Sequence, residues 1–331
     1  MLIYFQPGSA SAKRGPKGAG RVLEFFAGRM LRLVVTLWAI VTVVFFATRM
    51  TGDAINFLMP EGLDAQSRAE VVAYWGLDQP VLDQYLLFWR SLFEGNLGLG
   101  LIERRSVGLI FAERLWQSAS LLLSTLCLTI AVGVPFGILA AIWRQRTRGA
   151  VVLFFAFLGY AIPNFVLAIM MLLLFSATLN WLPSAGSGSL AHYVMPTVAL
   201  SAYFTAALVR YTRNAMLDVL SQDYMRTARA KGLSERAVIL RHGLRNALIP
   251  VITVLGLQVT TLVSGAVVIE TVFAWNGIGD LLVGATLYRD YPVLQFGILV
   301  VAAAVITVNI IVDLTYAAID PRVRLGGART A

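Results

Sequence analysis

Cysteine, histidine and charge are all scarce in this 331-residue chain, and each scarcity removes a class of function. The one cysteine, Cys127, lies inside an apolar run, so no disulfide framework and no cysteine cluster for metal can be built. His192 and His242 are the only histidines and stand far apart in sequence, which argues against a histidine-based catalytic or metal site. No Gly-x-x-x-x-Gly-Lys-[Ser/Thr] loop occurs, so nothing here cradles a nucleotide phosphate. No Ser/His/Asp constellation is evident either. The chain is therefore expected to be non-catalytic and to bind no cofactor of its own.

Charged residues make up 14% of the chain and hydrophobic residues 58%, with a mean hydropathy of +0.74. Soluble domains carry roughly 25% charge, and here the apolar residues are gathered into long blocks. A helix needs roughly 20 apolar residues to cross the hydrocarbon core. Six blocks qualify, at about 31–49, 117–142, 151–177, 194–212, 247–271 and 294–317. Backbone groups in lipid must be satisfied internally, so these runs are read as helices, and Pro135, Pro163, Pro196 and Pro250 as local kinks or helix starts. The first block is longer than a signal-peptide core and lacks a small-residue cleavage site, so it is read as a retained span. Before it, residues 1–27 form a basic tail that is expected to be disordered and cytoplasmic.

The net charge of +9 is distributed by loop. The first tail carries Lys13, Arg14, Lys17 and Arg21, the turn after the second span Arg144, Arg146 and Arg148, and the C-terminal tail 321–331 Arg322, Arg324 and Arg329. The connection 51–116 is acidic on balance, and the loop after the third span is uncharged. This alternation places both termini in the cytoplasm by the positive-inside rule, and it accounts for the basic balance without nucleic acid. Trp38, Trp116, Trp143, Trp181 and Trp275 fall near expected span ends, as in an aromatic belt.

Two segments lie outside the spans. Segment 51–116 is long for a connector, and Pro80–Phe93 within it has the apolar spacing of an amphipathic helix. It reads equally as a lid packed on the bundle or as a docking surface for an external protein. Segment 213–246 is basic and cytoplasmic, and Gly232 divides it into two helical halves. Ser221 is placed to cap the first half and Ser234 the second, with Glu235 in the first turn. Small residues there allow a close backbone approach, and Arg and Lys can bond a partner's carbonyls or carboxylates. Physics alone leaves open a hairpin on anionic headgroups or a docking element.

The residues are more specific. Ala228-Arg-Ala-Lys-Gly232-Leu-Ser-Glu-Arg followed by Arg241-His-Gly-Leu-Arg245-Asn-Ala-Leu-Ile-Pro250 resembles the cytoplasmic-loop signature of ABC importer permeases. Within that group it is similar to the B-type subunit of the dipeptide, oligopeptide and nickel branch. Arg226-Thr-Ala228 stands where the general motif reads Glu-Ala-Ala. Further matches in order are Thr51-Gly-Asp53, Gly76-Leu-Asp-Gln-Pro80, Gly95-Asn-Leu-Gly98, Ile162-Pro-Asn-Phe165, Glu270-Thr-Val-Phe-Ala-Trp-Asn-Gly-Ile-Gly279 and Asp320-Pro-Arg-Val-Arg324. Thr51 and Asn276 replace prolines usual in the family.

The resemblance implies an all-α membrane protein of the type I ABC importer permease fold: six transmembrane helices, an outer helical segment and a cytoplasmic coupling helix, in a bacterial inner membrane. It implies a heterodimer with a second permease subunit, two ATPase domains that carry ATP and Mg, and an external substrate-binding protein. The expected cargo is di- or oligopeptide, with nickel or another small solute as the alternative within the family. Ala228, Ala230, Gly232, Leu233, Arg236, His242 and Arg245 are the candidate coupling residues. Glu270, near the outer end of the fifth span, is a candidate pathway or gate residue, with a structural role weighed against it. An ion-coupled secondary transporter is the more distant alternative; it would call for charges near the bilayer midplane and inverted repeats, and neither is evident.

Overall fold

The structure, a computed structural model, describes residues 18–50, 72 and 78–319. The expectations for residues 1–17, for most of the outer connection up to residue 77 and for the tail from 320 lie outside the described residues. Among the described residues the regular structure is helical, apart from one isolated bridge between Leu99 and Ser106. The helices are α1 (Gly18–Met50), α2 (Val81–Phe93), α3 (Val107–Ile142), α4 (Thr147–Ala161), α5 (Asn164–Thr178), α6 (Leu190–Leu220), α7 (Asp223–Ala230), α8 (Glu235–Val272), α9 (Ile278–Leu287) and α10 (Tyr291–Ile319).

Five of these, α1, α3, α6, α8 and α10, are long and apolar enough to cross a membrane, and α4 with α5 supplies a sixth as a bent pair. The continuous span expected at 151–177 is thus corrected to two helices meeting at 98°. Pro163 is the cause: it has no N–H for the carbonyl of Gly159, and it drives the preceding Ile162 out of the helical region, to φ −86° and ψ 121°. Pro135, Pro196 and Pro250 instead lie inside continuous helices.

Helix boundaries run past the apolar blocks at several ends. α1 begins at Gly18, so residues 18–27 are helical where a disordered tail is expected. Once a helix is nucleated each added residue brings a hydrogen bond, and Arg21-Val-Leu-Glu-Phe-Phe26 contains no breaker. α3 starts ten residues before its apolar block and is about 54 Å long, well beyond the hydrocarbon thickness. α6 continues to Leu220, and α8 starts at Glu235.

α3 and α6 run parallel and form the centre of the bundle. Gly133 and Gly137, one turn apart on α3, set their separation. A Cβ on Gly133 would stand 2.8 Å from Leu208 Cδ2, and one on Gly137 would stand 2.5 Å from Thr212 Cβ and 2.8 Å from the Val209 carbonyl. Such small-residue pairs let helix backbones approach in lipid, where association depends on packing. At one end of the bundle Ile138, Ala141, Met216, Ile239 and Ala247 pack together, below α7. At the other, Leu121, Leu200, Phe204, Leu262, Ile269 and Trp275 form the largest core cluster.

The amphipathic helix expected at 80–93 is α2, and it lies on α1. Tyr85 packs edge-on to Phe45 at 5.2 Å between centroids and its hydroxyl meets Thr42 Oγ1 at 2.7 Å. Arg49 Nε donates to Gln84 Oε1 at 2.9 Å. Its other face keeps Leu82, Leu86 and Phe93 exposed. Asp290, before α10, accepts the Ile102 N–H at 3.1 Å and so ties the loop before α3 to the last helix. Burial raises the Asp290 carboxyl above its ordinary range, and the N–H groups of Ile102, Leu101 and Val293 pull it back.

Replacing Gly137 by leucine should destabilise the subunit by about 1–3 kcal/mol or more, because the contact is with backbone and a β-branched side chain that cannot retreat. Thermal unfolding in detergent measures this, and an unchanged midpoint would mean that α3 and α6 are not in register at this glycine.

Candidate functional site

The basic segment between α6 and α8 folds as a hairpin. α7 occupies Asp223–Ala230, and Lys231 and Gly232 turn the chain, with Gly232 at φ +78°, in the left-handed region that glycine enters without strain. The Gly232 N–H closes the turn onto the Arg229 carbonyl at 2.9 Å. Ser234 then caps α8 as expected, its Oγ accepting the Ala237 N–H at 3.4 Å. Ser221 does not cap α7. It closes α6, with its hydroxyl donating to the Asp218 carbonyl at 2.8 Å, and Gln222 takes the N-cap place, because the bend falls one residue later.

Two contacts that the sequence did not single out hold the hairpin's shape. Arg229 reaches across the turn to Glu235, with Nη2 to Oε1 at 2.9 Å and Nε to Oε2 at 3.1 Å. Beneath it Met225, Ala228 and Val238 are buried against Val219 and Leu220. Asn246 Nδ2 donates both to the Tyr224 hydroxyl at 3.1 Å and to the His242 carbonyl at 3.0 Å, which fixes α7 to the start of the fifth span. From Val238 to Gly243 the helix is wound as a π-turn, and it then runs on as α8 without a break to Val272.

The seven candidate coupling residues divide by this geometry. Ala228 is 7% exposed and belongs to the hairpin's own core. Ala230, Gly232, Leu233 and Arg236 are exposed around the tip, Leu233 to 42%. Arg245 is exposed further along, and His242 is half-buried within the π-turn. The tip therefore presents small residues, one leucine and guanidinium groups, framed by the Arg229–Glu235 pair.

Glu270 lies at the opposite end of the bundle and is 1% exposed. Its Oε1 accepts from the Ser118 hydroxyl at 2.6 Å, and its Oε2 accepts the Gly279 N–H at 2.7 Å and the Asp280 N–H at 3.4 Å. Ser118 Oγ in turn accepts the Ile278 N–H at 2.8 Å. The carboxylate thus caps the N-terminus of α9, where free N–H groups and the helix dipole favour a negative charge. A Cβ on Gly277 would run into this carboxylate, and one on Gly279 would stand 2.8 Å from it, which is why both positions are glycine. Both carboxylate oxygens are thus engaged within the subunit in this structure. Trp275 is also buried here, its Nε1 donating to the Gln117 carbonyl at 3.0 Å, so it is a core residue and not part of an aromatic belt.

Glu270→Ala should leave the Gly279 N–H and the Ser118 hydroxyl without partners, at a cost of about 1–3 kcal/mol for each buried group. Amide exchange over 278–282 is expected to rise in the variant. Unchanged exchange together with altered transport would instead place Glu270 in the passage.

The chain matches a known family over residues 133–325, that of the binding-protein-dependent transport system inner membrane component. It is 40% identical over 304 residues to the glutathione transport system permease protein GsiC of Escherichia coli K12, covering 92% of this chain and 99% of the relative. GsiC of Salmonella choleraesuis matches to the same extent. Among solved structures, the methionine ABC transporter MetNI in an inward-facing conformation matches with a TM-score of 0.55 at 17% identity, over 64% of this chain and 96% of that one. The hairpin, the six-span helical bundle and these relatives agree: the chain belongs to the family of binding-protein-dependent inner-membrane transport components, the membrane-spanning permease subunits of ABC importers.

Proposed function

We propose that this chain, paired with a second and different permease subunit, forms the passage through which short peptides cross the inner membrane after delivery by an external binding protein. Two ATPase domains on partner chains supply ATP and Mg, and this chain binds neither. The hairpin end faces the cytoplasm together with both termini, a reading supported by the arginines of the 143–148 turn and of 213–246. Peptide cargo rests on the relatives at 40% identity, whose name carries glutathione, a tripeptide. The membership in an ATP-driven family displaces the ion-coupled alternative.

One observation carries the coupling role: the hairpin is directly continuous with two spans. α6 enters it with no break until Leu220, and α8 leaves it as one helix 38 residues long. Closure of the ATPase domains on the exposed tip would therefore move the cytoplasmic ends of α6 and α8 together. Ala230, Gly232 and Leu233 form the close contact, Arg236 and Arg245 are the polar anchors, and Ala228 and His242 keep the hairpin in shape. Transport follows from a two-state bundle whose inward- and outward-facing forms ATP biases differently.

Gly232→Glu adds a side chain at a left-handed position and a charge at the tip, and Arg236→Glu reverses an anchor. In vesicles carrying the assembled importer, both variants are expected to lose cargo-stimulated ATPase and peptide uptake together while the complex still purifies intact. Normal uptake in both variants would reject the coupling assignment.

A further inference from the structure

The bundle exposes an arginine held by two tyrosines at a depth where a charge facing lipid is costly. Tyr160, at the end of α4, and Tyr203 of α6 stack with ring centroids 5.0 Å apart and planes 22° from parallel. The guanidinium carbon of Arg210 lies 4.7 Å from the centre of the Tyr160 ring. All three side chains are open to the outside of the subunit, Tyr160 to 43% and Tyr203 to 39%.

Their depth follows from the register of α3 and α6. Gly133 faces Leu208 and Gly137 faces Thr212, so Arg210 is level with Pro135 and Tyr203 with Leu128. α3 ends at Ile142, followed by Trp143 and Arg144. At a rise of 1.5 Å per residue, Arg210 begins about 10 Å inside that boundary and Tyr203 about 21 Å, on either side of the middle of a layer roughly 30 Å thick. Side chains on a helix lean toward its N-terminus. On α6 that direction is toward the membrane interior, and the contact with Tyr160 shows the guanidinium held there. Arg210 is not extended to the hairpin-side surface.

Two further features separate this face from one bathed in lipid. Among the residues whose side chains are described, no carboxylate lies within ion-pair distance of Arg210. Charged groups in spans face a bundle interior or water and find a counter-charge. The break between α4 and α5 follows two residues after Tyr160, at the same depth, with Ala161 and Pro163 exposed. Non-helical backbone at membrane depth persists where it is buried in protein or lines a water-filled cavity.

We infer that Tyr160, Tyr203 and Arg210 line the translocation passage at mid-membrane and that Arg210 is a transient station for the carboxylate of the passing solute. Tyr160, stacked on Tyr203, holds the guanidinium by a cation–π contact and leaves its N–H groups free for two parallel bonds to a carboxylate. The same platform offers a π-face to a peptide bond or an apolar side chain. The solute class is a small anion with at least one free carboxylate, as a peptide has. The carboxylate assignment rests on the peptide reading above, whereas the assignment of this face to an aqueous passage does not.

The test uses the whole importer in vesicles and a peptide supplied as its free acid and as its C-terminal amide, a pair chosen so that the binding protein holds both. Arg210→Gln should cut uptake of the acid about tenfold relative to wild type and leave the amide within about twofold, as for a site built to pair one substrate group. Arg210→Lys should restore much of the loss. An unchanged acid-to-amide ratio, or an equal loss for both peptides, overturns the carboxylate station; the equal loss is what an intersubunit ion pair or a bound anionic headgroup would give. A second measurement does not depend on the arginine. With Cys127→Ser as background, Tyr203→Cys should react with a membrane-impermeant thiol reagent in the assembled importer, and cargo should slow the reaction. A cysteine inaccessible in every nucleotide state overturns the passage assignment. Should the wild type move neither peptide while Tyr203→Cys still reacts, the peptide reading fails and the passage stands.

Discussion

In hydrocarbon a backbone N–H or C=O has no water to turn to, so each departure from a straight helix must be met by the protein itself. Two such departures, and one more that lies outside the bundle, organise this subunit. At Gly277 the chain leaves α8 and restarts as α9, and Glu270 with Ser118 takes up the freed N–H groups. At Gly232 it reverses outside the bundle, where the Gly232 N–H returns to Arg229 and Ser234 caps the next helix. At Pro163 it turns by 98° in mid-span, close to Tyr160 with its tyrosine and arginine partners. The first break is sealed within the chain, the second lies at the exposed tip of the hairpin, and the third lies beside the exposed Tyr160.

These breaks sit on a frame held by close packing. Gly133 and Gly137 bring α3 against α6, and α6 packs against α8 through Leu200, Phe204, Leu262 and Ala266. Because interiors at this density transmit strain and do not absorb it, a displacement of the hairpin would reach the membrane-embedded helices as movement of whole helices. The π-turn at Val238–Gly243 is the one irregular element on that route. It lies where α8 meets Met225 and Met216, with the Gly243 Cα side bordered by both methionine tips, a flexible packing that suits a joint.

Much of this was legible in the sequence because period and composition act locally. The lengths of the apolar blocks located all six spans, and the apolar spacing of residues 80–93 located α2. Gly232 and Ser234 marked the turn and cap of the hairpin through their own backbone chemistry. What stayed hidden depends on tertiary partners. The latch needs Ser118 from one helix and Gly279 from another to meet Glu270, and no local pattern announces that 152 residues separate Ser118 from its acceptor. Pro163 signalled a kink, but its angle depends on where α5 finds packing. Trp275 read as an interfacial aromatic until its indole was placed against Gln117 in the core. Ser221 stands one residue before the N-cap position, a margin that capping rules do not resolve.

If the hairpin tip meets the ATPase and carries its motion into the bundle, the contact can be captured at the tip. A photo-reactive amino acid in place of Leu233, in the assembled importer, examines that contact most directly. The account predicts a covalent adduct with the ATPase chain, whose yield changes between nucleotide-free and ATP-bound states. An adduct with lipid alone, in both states, would contradict it and return the hairpin to the membrane surface.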